Sequence, residues 1–313
     1  MRVLVTGAAG FIGSHLTRAL AAAGHEVVAL DIVPRAVSPE DAGHIEPVIV
    51  DVRDADAVAN AMRGVEMVWH QAAMASVPAS FDDPAACMAI NSSGSANIFE
   101  QARLAGVKRI MMASTSAIYG DDPTPIKHER LTPRPQSPYA VSKLAMEHLA
   151  DVYARQLGME MVAFRYFNVY GPGQPEEGGY AAVMPAIRKA IRKGEPFKVF
   201  GDGEQTRSFI YVGDIVRANL LAAEVPVDPA NGVVIANLAS SGAISLNDLI
   251  DVFGEIIGTP VQVETHPERE GDIKHSAGDV TFAREYFDFE PQVDLRDGVR
   301  ALLASLTSPS GAL

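Results

Sequence analysis

At 313 residues with 48% hydrophobic side chains, the chain can build one large domain or two intertwined ones and is too apolar for disorder. Its formal net charge of −13 excludes non-specific nucleic-acid binding, which needs basic patches, and turns isolated arginines into candidates for an anionic ligand. The single cysteine, Cys87, excludes an intrachain disulfide and a cysteine-rich metal site, and no metal is expected. No apolar run reaches the roughly 18 residues that span a bilayer. The first residues read as a strand and not as a leader, so the expected compartment is the cytoplasm, with no membrane partner.

Arg2–Thr6 is a short β-branched run that predicts a strand. Gly7-Ala8-Ala9-Gly10-Phe11-Ile12-Gly13 follows, and then a helical pattern over 11–23 that Gly24 closes. In a strand–turn–helix unit, Gly7 permits the tight turn, Gly10 lets the backbone approach a pyrophosphate, and Gly13 lets helix and strand pack closely. The phosphates then rest on the free N–H groups of the helix start, at Phe11 and Ile12. The next strand, 26–30, ends at Asp31. A carboxylate there binds both ribose hydroxyls of NAD and repels the 2′-phosphate of NADP, although Arg35 lies nearby.

A strand over 46–50 leads to Asp51-Val52, and Asp54 reads as the cap of a helix over 55–63. Strand 67–70 runs into Gln71-Ala72-Ala73, small residues that let a strand end lie against a ligand, with His70 read as packed. Residues 74–80, including Ser76, read as a loop. A helix is expected from Asn91 to Ala105, and a strand over 109–113 ends in Ser114-Thr115-Ser116-Ala117. Hydroxyls at a sheet's carboxyl edge sit where α/β folds bind ligands. After a proline-rich loop over 123–138, a helix runs from Tyr139 to about residue 157. Tyr139 and Lys143 share one face of it, so the ammonium is expected to lower the phenol pKa and make Tyr139 a base near neutral pH. Strand 161–164 precedes Arg165-Tyr166-Phe167-Asn168, where a turn is one reading of Asn168. Beyond residue 171 the strand–helix alternation breaks down. A helix over 181–193 leads to Phe200 and Arg207, and Asp214 reads as a cap of a helix opening at 211. Strand 234–238 and a helix over 246–257 follow, then Arg269 and Ser276. The residues after Leu306 read as a frayed tail.

The G-x-x-G-x-x-G turn together with Tyr139-x-x-x-Lys143 resembles the extended short-chain dehydrogenase/reductase family, and more narrowly its nucleotide-sugar epimerase/dehydratase branch, up to about residue 300. The resemblance implies an α/β fold: a Rossmann doubly wound parallel sheet with a smaller C-terminal α/β substrate domain. Residues 1–167, with a segment returning at about 209–240, would bind NAD, and the intertwined 168–313 would bind the substrate. Gly7, Gly10, Phe11, Ile12, Gly13, Asp31, Asp51, Val52, Gln71, Ala72, Ala73, Tyr139, Lys143 and Tyr166 are the implied cofactor contacts. Thr115, Tyr139 and Lys143 are the implied catalytic residues. Ser76, Ser116, Asn168, Phe200, Arg207, Arg269 and Ser276 are the implied contacts to a nucleotide-diphosphate sugar, with Arg207 and Arg269 on the diphosphate. Helices over about 91–105 and 139–157 would form the four-helix bundle of a homodimer.

The residues after Thr115 also discriminate between activities. Dehydratases of the branch carry Asp-Glu there, and uronate decarboxylases a Glu at the second position. Here both are replaced, by Ser116-Ala117. The implied activity is 4-epimerisation of UDP-glucose/UDP-galactose, UDP-GlcNAc/UDP-GalNAc or both, through transient C4 oxidation. Seven residues after Arg269, Ser276 takes the position that borders the sugar C2 group. The alternatives are a 4-keto-sugar reductase, a uronate epimerase or decarboxylase, and a non-enzymatic dinucleotide sensor.

Overall fold

The computed structural model describes residues 1–35, 37, 41, 43–176, 183–240, 242–268 and 274–304. Among them, seven parallel strands form one sheet. Across it the order is Val234–Leu238, Glu160–Tyr166, Arg109–Thr115, Met67–His70, Arg2–Thr6, Glu26–Asp31 and Ile45–Ile49. The chain starts in the middle, winds outward through Ile45–Ile49, then crosses back to Met67–His70. The crevice between Arg2–Thr6 and Met67–His70 is therefore the topological switch point, where open α/β sheets bind ligands. The doubly wound parallel sheet expected from the sequence is present.

Strand alternation sends side chains to two apolar layers. Val3, Val5, Val27, Ala29 and Trp69 face one layer, with Leu16 and Leu20 of the Phe11–Ala22 helix and Ile215 and Ala218 of the Val212–Glu224 helix. Leu4, Val28, Leu30 and Val68 face the other, with Val58, Ile98, Phe99 and Met146 from the Ala55–Ala61, Gly94–Ala105 and Pro138–Leu157 helices. A third cluster lies apart from the large sheet. It joins Met184 and Ile187, Leu249 and Phe253, and Val299 and Leu302. Short strands accompany it, in the order Ile244–Ser245, Thr206–Arg207, His275–Gly278 and Ile126–Lys127. No helix among the described residues is long and apolar enough to cross a membrane.

Several boundaries differ from expectation for identifiable reasons. The strand expected to stop at Ala113 continues to Thr115, and that over 161–164 spans Glu160–Tyr166, so Thr115 and Tyr166 are partners in register. The 74–80 stretch is not all loop. Ser76 caps a Val77–Asp82 helix by accepting from the Ala79 N–H at 3.2 Å. Asn91 does not open its helix: it sits inside a π-helical turn, Ala89–Ser93, between Pro84–Met88 and Gly94–Ala105. The catalytic-helix candidate starts at Pro138, which needs no N–H partner, under a Ser137 cap that accepts from Ala140 N at 3.1 Å. Asp54 caps the Ala55–Ala61 helix as expected.

Asp214 is not a cap. Tyr211 holds that position, and the Asp214 carboxylate instead accepts from the N–H groups of Gln292 and Val293 at 3.0 and 3.1 Å. It is 2% exposed and ties the segment before the Leu295–Ala304 helix onto the Val212–Glu224 helix. Asp214→Ala leaves two N–H donors without their acceptor and should cost about 2–3 kcal/mol. Chemical denaturation of the two proteins measures this, and an unchanged midpoint would contradict the assignment.

Candidate active site

A cavity of about 1560 Å³ runs along the carboxyl edge of the large sheet, from Gly7 and Asp31 to Arg207 and Ser276. Its lining includes Gly7, Gly10, Phe11, Ile12, Gly13, Asp31, Asp51, Val52, Gln71, Ala72, Ala73, Ser76, Thr115, Ser116, Tyr139, Lys143, Tyr166, Asn168, Arg207 and Ser276. The structure thus brings to one cavity residues far apart in the chain. Phe200 is not among the lining residues; its ring stacks on His266 at 5.2 Å and 28°. Arg269 lies outside the described residues.

The glycine turn forms the first wall. Gly7 adopts φ +67°, and a Cβ there would fall 2.7 Å from Ala72 N. A Cβ on Gly13 would fall 2.0 Å from the Gly7 carbonyl oxygen, so only glycine allows the Phe11–Ala22 helix to start this close to the sheet. No side chain caps that helix start. Its N–H groups and dipole face the cavity and fit a pyrophosphate. The Asp31 carboxylate accepts from the backbone N–H of Ala9, Ile32 and Val33 at 2.9, 2.7 and 3.2 Å, which fixes it at the rim. Arg35 turns to backbone carbonyls, donating to Ala8 O at 2.5 Å and Ser14 O at 3.3 Å. Asp51 is gripped by Arg53, whose hydrogen bonds hold the carboxyl below its ordinary range. Arg53 also lines the cavity.

The second wall rests on a buried polar chain. Ser95 donates to Asn91 O at 2.5 Å, so His70 Nε2–H donates to Ser95 Oγ at 2.8 Å. His70 Nδ1 then accepts from the Thr6 hydroxyl at 2.7 Å, and Thr6 Oγ1 accepts from the N–H of Gln71 and Ala72, both at 3.1 Å. Burial, with the Lys143 charge adding to it, pushes the His70 pKa down to about 3, so the ring is neutral and packed. Asn91 clamps the next segment: its side chain accepts from Met74 N at 2.7 Å and donates to Met74 O at 3.1 Å and Ser142 Oγ at 2.9 Å. Sequence reading missed this residue. The signal was an asparagine inside an apolar helical pattern, which must find partners if buried.

The third wall carries the candidate chemistry. Tyr139 and Thr115 line the same wall, and the Thr115 hydroxyl acts to lower the Tyr139 pKa. Thr115 Oγ1 already accepts from Ala117 N at 3.1 Å, which leaves its proton to donate. Burial pushes the Tyr139 phenol above its ordinary range, and the Thr115 hydroxyl opposes this. The expected lowering by Lys143 is not realised in the chain alone. Lys143 Nζ donates to Ala113 O at 2.8 Å, and burial pushes its pKa down to about 8, against the influence of Cys87 and Glu147. Tyr166 donates to Gln71 Oε1 at 3.3 Å and accepts from Asn219 at 3.0 Å, while burial pushes its phenol up to about 12 and keeps it neutral.

The far end is built from short strands. Arg207 pairs in register with Ser276. The Arg207 guanidinium donates to Thr206 O at 2.9 Å and Lys274 O at 3.3 Å. Ser208 is buried and donates to Gly242 O at 2.9 Å. Asn168 Nδ2 donates to Ser208 O at 2.8 Å, tying this end to the strand that carries Tyr166.

Residues 3–236 match the NAD dependent epimerase/dehydratase family. A UDP-glucose 4-epimerase of Mycolicibacterium smegmatis is 37% identical over 306 residues, covering 96% of both chains. The UDP-glucose 4-epimerase of Thermotoga maritima, solved with UDP-glucose, superposes with a TM-score of 0.90 at 33% identity over 98% of both chains. A UDP-N-acetylglucosamine 4-epimerase of Methanobrevibacter ruminantium, solved with UDP-N-acetylmuramic acid, superposes with a TM-score of 0.89 at 33% identity over 97% of both chains.

The crowding at Gly13 sets a test of the cradle. Gly13→Ala should fold but weaken NAD binding at least about tenfold, because the Gly7 turn must move away from the helix start. Calorimetric titration of the cofactor-stripped protein with NAD reads this directly. Unchanged affinity would place the dinucleotide elsewhere.

Proposed function

The chain belongs to the NAD dependent epimerase/dehydratase family, and we propose that it is an isomerase that inverts C4 of a UDP-hexose. The single observation that carries this reading is the convergence of Thr115, Tyr139 and Lys143 on one wall of a cavity that reaches from the glycine turn to Arg207. The cofactor is NAD, which when bound supplies a reversible hydride acceptor. Tyr139 takes the O4 proton of the sugar and later returns it. The Thr115 hydroxyl holds O4 beside it. Lys143, pinned to Ala113, offers a cation that favours the phenolate. The sugar passes through a 4-keto form and presents its other face while its diphosphate stays held. Arg207 and Arg269 are the proposed diphosphate anchors, with Asn168 contacting a phosphate. Asp31 and Asp51-Val52 hold the adenosine half, and Gln71, Ala72, Ala73 and Tyr166 border the nicotinamide half. Ser116-Ala117 offers no carboxyl pair for eliminating water, which favours epimerisation over dehydration.

Residues 1–167, with the return at about 209–240, form the NAD-binding part of this reading, and 168–313 the substrate part. The enzyme is proposed to be a cytoplasmic homodimer. Leu104, Val141, Val152 and Leu157 are 63, 44, 50 and 47% exposed on the Gly94–Ala105 and Pro138–Leu157 helices, an apolar surface suited to a four-helix bundle.

Incubation with UDP-glucose or UDP-galactose, followed by NMR, tests the activity. Interconversion without accumulating NADH is expected; net NADH formation would make the enzyme a dehydrogenase. Tyr139→Phe should keep bound NAD and lose at least about 10²-fold in turnover, the usual scale for removing a general base. Near-parental turnover in that variant would remove Tyr139 from its role.

Asp31 should set cofactor choice. A fixed carboxylate repels a 2′-phosphate, so NAD should bind tighter than NADP, and the reverse order by titration would contradict this reading.

Substrate size follows from Ser276. Its small hydroxyl on the cavity wall leaves room for an acetamido group at C2, and UDP-GlcNAc and UDP-GalNAc are proposed substrates beside the plain hexoses. Ser276→Tyr should abolish turnover of the N-acetyl sugars and spare UDP-glucose, since a steric block rejects only the larger ligand. Equal loss of both activities would show that Ser276 is not the gate.

A further inference from the structure

The Pro138–Leu157 helix buries a second charged residue one turn beyond Lys143. Glu147 and its partner Arg165 each have side chains only 3% exposed. Arg165 donates to Glu147 through Nε at 3.0 Å and through its terminal nitrogen at 2.7 Å. The Ser114 hydroxyl donates to the same carboxylate at 2.5 Å. Arg165 also donates to the Tyr119 hydroxyl at 2.9 Å, and Tyr119 to Asn237 at 2.7 Å, so the network is satisfied on every side.

A buried ion pair is weak evidence for stability, because desolvation costs offset the attraction. The position of this pair points to another use. Ser114 and Arg165 are register partners on adjacent strands. Ser114 lies between Ala113, whose carbonyl accepts from Lys143, and Thr115, which lines the cavity with Tyr139. Arg165 directly precedes Tyr166, which lines the cavity. One carboxylate therefore fixes the helix that carries Tyr139 and Lys143 to the strand ends that carry their partners. Resting on the functional reading above, we infer that Glu147 is a positioning residue for the reaction, holding the Lys143 ammonium charged and seated against Ala113.

The groups facing Lys143 are few. Tyr139 and Glu147 come from its own helix, Cys87 from Pro84–Met88, and His70 from Met67–His70. His70 is neutral, and Cys87 is buried against Ser142. Glu147, paired with the Arg165 guanidinium at 2.7 Å, is the carboxylate of this set, and Cys87 bears on Lys143 beside it. A carboxylate favours the neighbouring ammonium, so its loss lowers the Lys143 pKa further. The ammonium then persists only to a lower pH, and the alkaline limb of the kcat profile moves down.

Two variants test this. Glu147→Gln keeps the acceptor oxygen and removes the charge. Glu147→Gln/Arg165→Met removes both charges and leaves no buried ion unpaired. Glu147→Gln should move the alkaline limb down by about one pH unit and lower kcat about tenfold at the parental optimum, with KM for the UDP-sugar little changed, and the double variant, which also loses the Arg165 cation, should move the limb in the same direction by less. Glu147→Asp, which keeps the charge, should return the limb toward its parental position. NMR titration of isotope-labelled lysine should show the same shift of Lys143, and it is read without turnover. A parent protein with no epimerase activity would therefore strike the functional reading and leave this one standing. A folded variant whose Lys143 titration is unmoved would overturn the inference. So would failure of both variants to fold, which would assign the pair to stability alone.

Discussion

Every strand of a parallel sheet ends at the same edge, and there the backbone ladder stops with N–H and C=O groups unpaired. The rest of this molecule is arranged around that edge. Where the strand order reverses, no crossover covers it, and the crevice between Arg2–Thr6 and Met67–His70 stays open. Gly7 and Gly13 allow the first helix to begin inside the crevice, since a side chain at either position would strike backbone. The neutral Thr6–His70–Ser95 chain then uses up polar groups that would otherwise be stranded beneath it. Thr115 and Tyr166 reach the cavity because their strands end in register. The site is a consequence of how the sheet ends.

Burial in that crevice opposes ionisation, and the two candidate reacting groups feel it in opposite directions. It raises the Tyr139 phenol and lowers the Lys143 ammonium to about 8, which disfavours the charged pair that proton transfer needs. The surrounding polar atoms supply a partial remedy. Thr115 donates toward the phenol, Ala113 accepts from the ammonium, and Glu147 adds negative charge one turn away. A cationic ring bound beside Tyr139 would add to this remedy, so the pair is best suited to ionise once the cavity is filled. Coupling base strength to occupancy keeps a reactive phenolate from forming in an open site.

The parts of this arrangement made from backbone were legible in the sequence. Gly7 and Gly13 declare the turn because a side chain at either would strike backbone, and β-branched runs declare the strands of a buried parallel sheet. Asp54 was legible as a cap because its carboxylate satisfies a local N–H three residues on. Parts made from distant side chains were not. Asp214 looked like a cap, but its partners Gln292 and Val293 lie 78 and 79 residues away. Asn91 looked like a helix start, yet it bridges Met74 and Ser142 from within a π-helical turn. The expected effect of Lys143 on Tyr139 failed for the same reason: helical spacing shows that two groups share a face, and says nothing about how deeply both are buried.

That division also bears on how the two ends of the cavity can change. The end of the cavity at the glycine turn depends on Gly7 and Gly13, where an added side chain must displace backbone. The far end is assembled from two-to-four-residue strands contributed by 126–127, 206–207, 244–245 and 275–278, with Arg207 and Ser276 side by side. Such short strands are held by their neighbours and by loops, and their side chains can be exchanged without altering a long hydrogen-bond ladder. Thr115 thus sits at the end of a long strand of the large sheet, and Arg207 and Ser276 sit on short strands. On the reading proposed above, the substrate would be set by the few side chains on those strands, with Ser276 lining the cavity among them.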